Sequence, residues 1–166
     1  MSLSANLVEI HALIQNACSE AHRNPEDISL VCVSKFHSVE RIEEALKEGE
    51  RVFGENRVQE AYDKWPLLKD KYPDVSLHLI GGLQTNKTKE AVALFDVIES
   101  VDRPKLAQVL AQEIKNQNKN PEIYIQVNTG EEEQKNGCLP KDLDQLMTLC
   151  KDLNLNVTGL MCIPPV

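Results

Sequence analysis

Six times in this chain a short run of β-forming apolar residues gives way to a longer segment whose apolar residues recur at helical spacing. The short runs fall at 29–34 (SLVCVS), 51–54 (RVFG), 77–81 (LHLIG), 97–101 (VIESV), 122–128 (EIYIQVN) and 156–161 (NVTGLM). Between them lie stripes such as Val39, Ile42, Ala45 and Leu46, then Leu106, Val109, Leu110 and Ile114, then Leu143, Leu146, Met147, Cys150 and Leu153. Each stripe gives a helix one apolar side to lay against a sheet. Strand and helix in strict alternation specify a parallel sheet covered by helices, an α/β fold. Six units without a break favour a (β/α) barrel over a doubly wound sheet, although periodicity alone leaves both open. A complete barrel of this type has eight strands in about 250 residues, so 166 residues supply about six units plus an N-terminal helix. That helix carries the stripe Leu7, Ile10, Ile14, Cys18 and Ala21 and is expected to pack outside the same body. Ser38 and Thr85 are expected as N-caps, and Pro104 and Pro140 as first-turn prolines.

With no repeat or linker, residues 1–166 are expected to form one domain, and 42% hydrophobic residues suffice for its core. The net charge of −8 and the lack of a Lys/Arg cluster argue against nucleic acid and anionic membranes as partners. No stretch reaches the roughly 18 apolar residues of a membrane span, and the N-terminus lacks the form of a signal peptide. Five scattered cysteines (18, 32, 138, 150 and 162) without a CxxC pair suit free thiols in a reducing cytoplasm.

In parallel α/β folds chemistry gathers where the loops after the strands converge. The polar residues at those points are Lys35; Glu55 and Asn56; Gln84, Asn86 and Lys87; Asp102 and Arg103; Asn128 and Thr129. Lys35 is the sharpest of them. An amine kept neutral by an apolar barrel mouth behind Val31, Val33 and Phe36 could attack an aldehyde; an ammonium at an ordinary strand end would simply reach into water. Asn56 and Glu55 also read as helix capping, His78 as a satisfied structural histidine, and 128–137 (NTGEEEQKNG) as a solvated loop. The patterns of a phosphate-binding P-loop, a dinucleotide fingerprint, a serine hydrolase elbow and a clustered metal site are missing.

Taken in order, VSK at 33–35, FGENxxQE at 53–60, HLIGxLQTNK at 78–87, SVD at 100–102, Asn128-xxx-Glu132-xx-Lys135-x-Gly137 and GLMxIP at 159–164 are similar to one family. Over about residues 5 to 166 the chain resembles the YggS/PROSC family, the pyridoxal phosphate homeostasis proteins. The resemblance implies a barrel like the N-terminal domain of alanine racemase, holding pyridoxal 5′-phosphate as an aldimine on Lys35. It further implies Asn56 near the cofactor ring or its phenolic oxygen, the 81–87 and 128–137 loops around the mouth, and Gly81, Gln84, Asn86 and Met161 among the cofactor-binding residues. Such proteins are regarded as carriers or regulators of the free cofactor rather than enzymes with a settled reaction; PLP-dependent apoenzymes are expected as partners of this chain, in the cytoplasm, as a monomer or weak homodimer. A racemase-like enzyme, an aldolase using Lys35 without cofactor and a purely structural module are the competing readings. The sequence ends at the sixth strand and its loop, so the barrel is expected to lack its last two βα units, whose loops in this family cradle the phosphate. If the molecule ends there, cofactor retention is expected to be weak unless chains associate.

Overall fold

The computed structural model describes residues 2–165. The order is α1 (Leu3–Glu20), β1 (Cys32–Val33), α2 (Val39–Lys47), β2 (Val52–Glu55), α3 (Val58–Lys71), β3 (Ser76–Leu79), α4 (Thr88–Leu94), β4 (Val97–Val101), α5 (Pro104–Gln117), β5 (Glu122–Val127), α6 (Leu143–Asp152) and β6 (Val157–Cys162). All six strands are parallel, in the sheet order β1-β2-β3-β4-β5-β6. This is the expected arc of successive βα units, since parallel neighbours demand a crossover and each crossover here carries a helix.

The period of two along each strand sorts side chains onto two faces. Phe53, Leu77, Leu79, Ile98, Ile123 and Ile125 lie beneath the helices, each at most 1% exposed. They meet Trp65 of α3 and Leu106 and Leu110 of α5, with the Phe53 and Trp65 rings 5.1 Å apart and tilted. The inner face of the arc is different in kind. A side chain at Gly54 would come within 3.0 Å of Val31 and Ile80, which fixes these three on the inner side. Farther along it His78 shares hydrogen bonds with Ser76 (3.1 Å) and Glu99 (2.6 Å), so both ring nitrogens are engaged, as expected of a structural histidine.

Local signals account for most element ends. The Ser38 hydroxyl accepts from the Arg41 N–H at the start of α2, and Pro104 opens α5. Pro140 opens a 3₁₀ turn that leads into α6. Four expectations are corrected. The first strand shortens from 29–34 to Cys32–Val33, because it has a ladder partner on one side and pairs only through Cys32↔Phe53 and Val33↔Gly54. Thr85 caps no helix: it begins the 3₁₀ turn Thr85–Lys87, and its carbonyl accepts from the Thr88 hydroxyl. The N-cap of α3 is Arg57, without a side-chain bond, so Asn56 is free of the capping role. In α1 only Leu7 and Cys18 of the expected stripe are buried, and Ile10 is 39% exposed. Leu7, Cys18 and the partly buried Leu3 are its apolar contacts, and Ser4 to Glu48 and His11 to Glu50 its polar ones. All five cysteines are free thiols, and no helix among the described residues is long and apolar enough to cross a membrane.

Candidate functional site

Lys35 lies two residues past the end of β1 and is half-buried. It is the second residue of a four-residue turn closed by a hydrogen bond from the His37 N–H to the Ser34 carbonyl (3.1 Å). Phe36, the third, adopts φ +65°, a left-handed conformation unusual for a bulky side chain. The apolar shield expected behind Lys35 is not built as anticipated: Phe36 is 78% and Val33 46% exposed. Packed behind the turn instead is a charged cluster.

That cluster begins with Glu55, the last residue of β2. Two positions after Phe53, it shares the helix-facing side and is fully buried. Its Oε1 accepts from the Ser34 hydroxyl (2.7 Å) and from the Trp65 indole N–H (3.1 Å), and pairs with the Lys64 ammonium at 2.6 Å. Lys64, itself 8% exposed, also donates to the Ser34 carbonyl (3.0 Å) and to Glu60 one turn earlier on α3 (2.9 Å). Glu60 in turn accepts from the Phe36 backbone N–H at 2.6 Å. Desolvation pushes the Glu60 carboxyl up, but the Phe36 N–H, Lys64 and Arg57 outweigh it and hold the group below the usual glutamate range. Glu55 therefore leaves the group of strand-end residues facing the mouth and joins the scaffold behind Lys35. The sequence carries a signal for this, the alternation from buried Phe53 together with the i,i+4 pair Glu60 and Lys64 beside Trp65, but capping chemistry masks it.

On the inner side the register does the positioning. The β1–β2 ladder ends at Val33↔Gly54, so Lys35 lies on the turn just beyond it; Glu55 pairs with Leu79, so Asn56 follows β2 beside Ile80 and Gly81. A cleft of about 460 Å³ opens there, with Asn56, Arg57, Gly81, Gln84, Lys87 and Asn136 in its wall. Gly81 touches the backbone of Asn56 so closely that a Cβ would lie 2.1 Å from the Asn56 carbonyl oxygen; only glycine allows this approach. Asn86, though on the same turn as Lys87, is exposed and is not part of the cleft wall. Met161 lies on β6 as the register partner of Gln126, at the opposite end of the sheet order from Lys35. The structure thus brings Asn56, Gly81 and Gln84 together in one cleft wall, places Lys35 outside that wall on the turn after the neighbouring strand, and leaves Asn86 and Met161 apart.

The loop 128–137, read as solvated, is folded onto itself. The Asn128 side chain donates to the Glu132 carbonyl (2.8 Å) and accepts from its N–H (3.2 Å), while Lys135 pairs with Glu132 and donates to the Pro164 carbonyl. Thr129 is exposed. Asp102 and Arg103 pair with each other, and Arg103 also donates to the Leu83 carbonyl, tying the end of β4 to the cleft loop. Among the described residues no hydrogen bond or ion pair engages the Lys35 ammonium, whereas Lys64, Lys69 and Lys71 all have carboxylate partners. No group of three or more metal-ligating side chains occurs among the described residues.

Comparison with known proteins supplies the context for this geometry. Residues 8–166 match the alanine racemase N-terminal domain. The pyridoxal phosphate homeostasis protein of Vibrio cholerae is 39% identical over 98% of this chain and 70% of its own length; that of Aquifex aeolicus is 39% identical over 99% and 72%. The structure of PipY from Synechococcus elongatus without PLP superimposes with a TM-score of 0.79 at 38% identity, covering 92% of this chain and 71% of that one; its PLP-bound structure gives 0.75 at 35%. An alanine racemase of Clostridium difficile, 15% identical, shares the fold with a TM-score of 0.70, covering 94% of this chain and 40% of that one. With the match spanning nearly the whole chain and the curated relatives above one-third identity, the chain belongs to the alanine racemase N-terminal domain family and, within it, to the pyridoxal phosphate homeostasis proteins.

Proposed function

We propose that this protein binds pyridoxal 5′-phosphate and serves its homeostasis inside the cell, with Lys35 as the residue that holds the cofactor and residues 1–166 acting as one binding domain. The observation that carries the reading is an unpaired amine on the turn after β1, the strand next to β2, whose following residue Asn56 lines an open cleft with Gly81 and Gln84. Relatives bearing the homeostasis name, and the structure of PipY with PLP bound, support the choice of ligand.

The residues present suit such a group. A free amine is what an aldehyde needs, and amide and cationic side chains in the cleft suit a polar, anionic ring system. When bound, the cofactor supplies an aldehyde that exchanges reversibly between amines. Lys35 would hold the aldehyde end, Asn56 would offer its amide to the ring oxygen, Gly81 would let its loop close on the Asn56 backbone and so set the cleft wall, and Gln84 would line the outer wall. Met161 would approach from the far side of the arc. Asn86, outside the cleft wall, receives no contact in this assignment.

Holding rather than turnover is part of this proposal, and the wiring of the inner face supports it. Both nitrogens of His78 are bonded to Ser76 and Glu99, so this imidazole is committed to structure and is not poised to move a proton on a ligand. A protein that binds the cofactor without consuming it fits delivery to cytoplasmic apoenzymes. The test is to mix the protein with pyridoxal 5′-phosphate, reduce with borohydride and map the modified peptide. One cofactor per chain on Lys35 supports the reading; modification spread over surface lysines, with Lys35 unlabelled, contradicts it.

A further inference from the structure

The peptide groups on both sides of Lys35 are bound by side chains of one helix. The 34–35 peptide is held through its carbonyl, which accepts from Lys64 Nζ at 3.0 Å; the 35–36 peptide is held through its N–H, which donates to Glu60 Oε1 at 2.6 Å. Orienting both flanking peptide planes fixes φ and ψ of Lys35, and with them the direction of its Cα–Cβ bond. The two α3 residues are joined to each other at 2.9 Å, and Lys64 is anchored at 2.6 Å on the fully buried Glu55. Glu55 also takes the hydroxyl of Ser34, immediately before Lys35. A left-handed residue at Phe36 costs free energy and persists only where its surroundings over-determine it; this cluster is that surrounding.

We infer that Lys64, with Glu55 and Glu60, is a positioning residue for Lys35: a buried ion-pair relay that clamps the 34–37 turn and aims the amine at the cleft. This deepens the proposed function and rests on it for the identity of the ligand, but the clamp itself is a property of the turn. A purely apolar filling behind the turn would pack as well and offer neither the donor for the Ser34 carbonyl nor the acceptor for the Phe36 N–H. Burying charge to gain geometry is costly, which makes sense where geometry is needed.

The test compares Glu55→Gln/Lys64→Met, which removes the buried charges together so that neither is stranded, with Lys69→Met. Lys69 lies on the same helix and likewise joins a carboxylate (Asp96) and a carbonyl (Leu94), but on the far side from the turn. Three readouts are taken on folded protein: hydrogen exchange of the Phe36 amide without ligand, affinity for pyridoxal 5′-phosphate, and induced circular dichroism per bound cofactor. In the double variant the Phe36 amide is expected to exchange at least tenfold faster, affinity to fall at least tenfold, and the dichroic band to change in amplitude. Lys69→Met is expected to stay within about twofold of the parent in all three. Equal losses in both variants, or an unchanged Phe36 exchange rate in the double variant, overturn the inference. If the parent itself takes up no cofactor on Lys35, the functional proposal fails, and the exchange measurement still decides the clamp.

Discussion

Behind and in front of Lys35 the molecule uses polar residues in opposite ways. Behind it, Ser34, Glu55, Glu60, Lys64 and Trp65 are largely removed from water and spend their bonding groups on one another and on the turn. In front, Asn56, Gln84 and Lys87 line an open cleft, where Gln84 is exposed and the loop backbone comes close enough to require glycine. Bonded polar groups hold geometry, although the buried Glu55 Oε2 has no partner and Lys87 in the cleft wall is paired with Glu90; Asn56 and Gln84 are the side chains left available to a ligand. The contrast explains how a loop-borne lysine can be as well placed as one on a strand.

The largest effect is expected from breaking the rear cluster on one side. Lys64→Met leaves the Glu55 carboxylate buried without its counter-charge and should lower stability by about 3–5 kcal/mol, measured by urea unfolding; a loss below about 1 kcal/mol would mean that water reaches the pair. In front, Gly81→Ala forces a Cβ against the Asn56 carbonyl oxygen, which must move. It should cost on the order of 1–3 kcal/mol and weaken pyridoxal phosphate binding out of proportion to that loss, because the cleft wall itself shifts. Equal binding by the variant would remove Gly81 from the site.

A smaller effect concerns pH. The Glu60 carboxyl is held below its ordinary value of 4.5, so the native state binds fewer protons there than the unfolded chain. The advantage of the parent over Glu60→Gln should be fully present above that value and shrink as pH falls through the lower native one. Urea midpoints of the two proteins across pH 3–7 test this, and a difference that grows on acidification would contradict the Phe36–Glu60 bond. Smallest are the thiols. Burial, then the nearby charge and hydrogen bond of Glu50, push Cys32 up to about 11, while burial, then Cys138, does the same for Cys150. Iodoacetamide should therefore alkylate exposed Cys162 at least tenfold faster than either; fast labelling of Cys32 would show that the turn region opens.

The alternation of strand and helix was legible in the sequence because buried parallel strands and one-sided helices leave unmistakable periods, and the five strands after the first start within one residue of expectation. The first strand fell short because pairing on one side cannot be read from its own residues. Lys35, Asn56, Gly81 and Gln84 were legible as strand-end residues in a row of motifs. Glu55 was not, since a glutamate between a glycine and a helix suggests capping, and only its phase relative to Phe53 reveals that it points away from the mouth. Asn86 shows the converse: membership of a motif places a residue on a turn but does not say which way the turn faces.

The most direct measurement is the site of covalent capture. Borohydride reduction of the protein with stoichiometric pyridoxal 5′-phosphate, followed by peptide mass mapping, should place one cofactor on Lys35 and none in the Lys35→Ala protein. The same stoichiometric adduct in Lys35→Ala, carried by another lysine, would contradict the claim that this turn exists to present that amine.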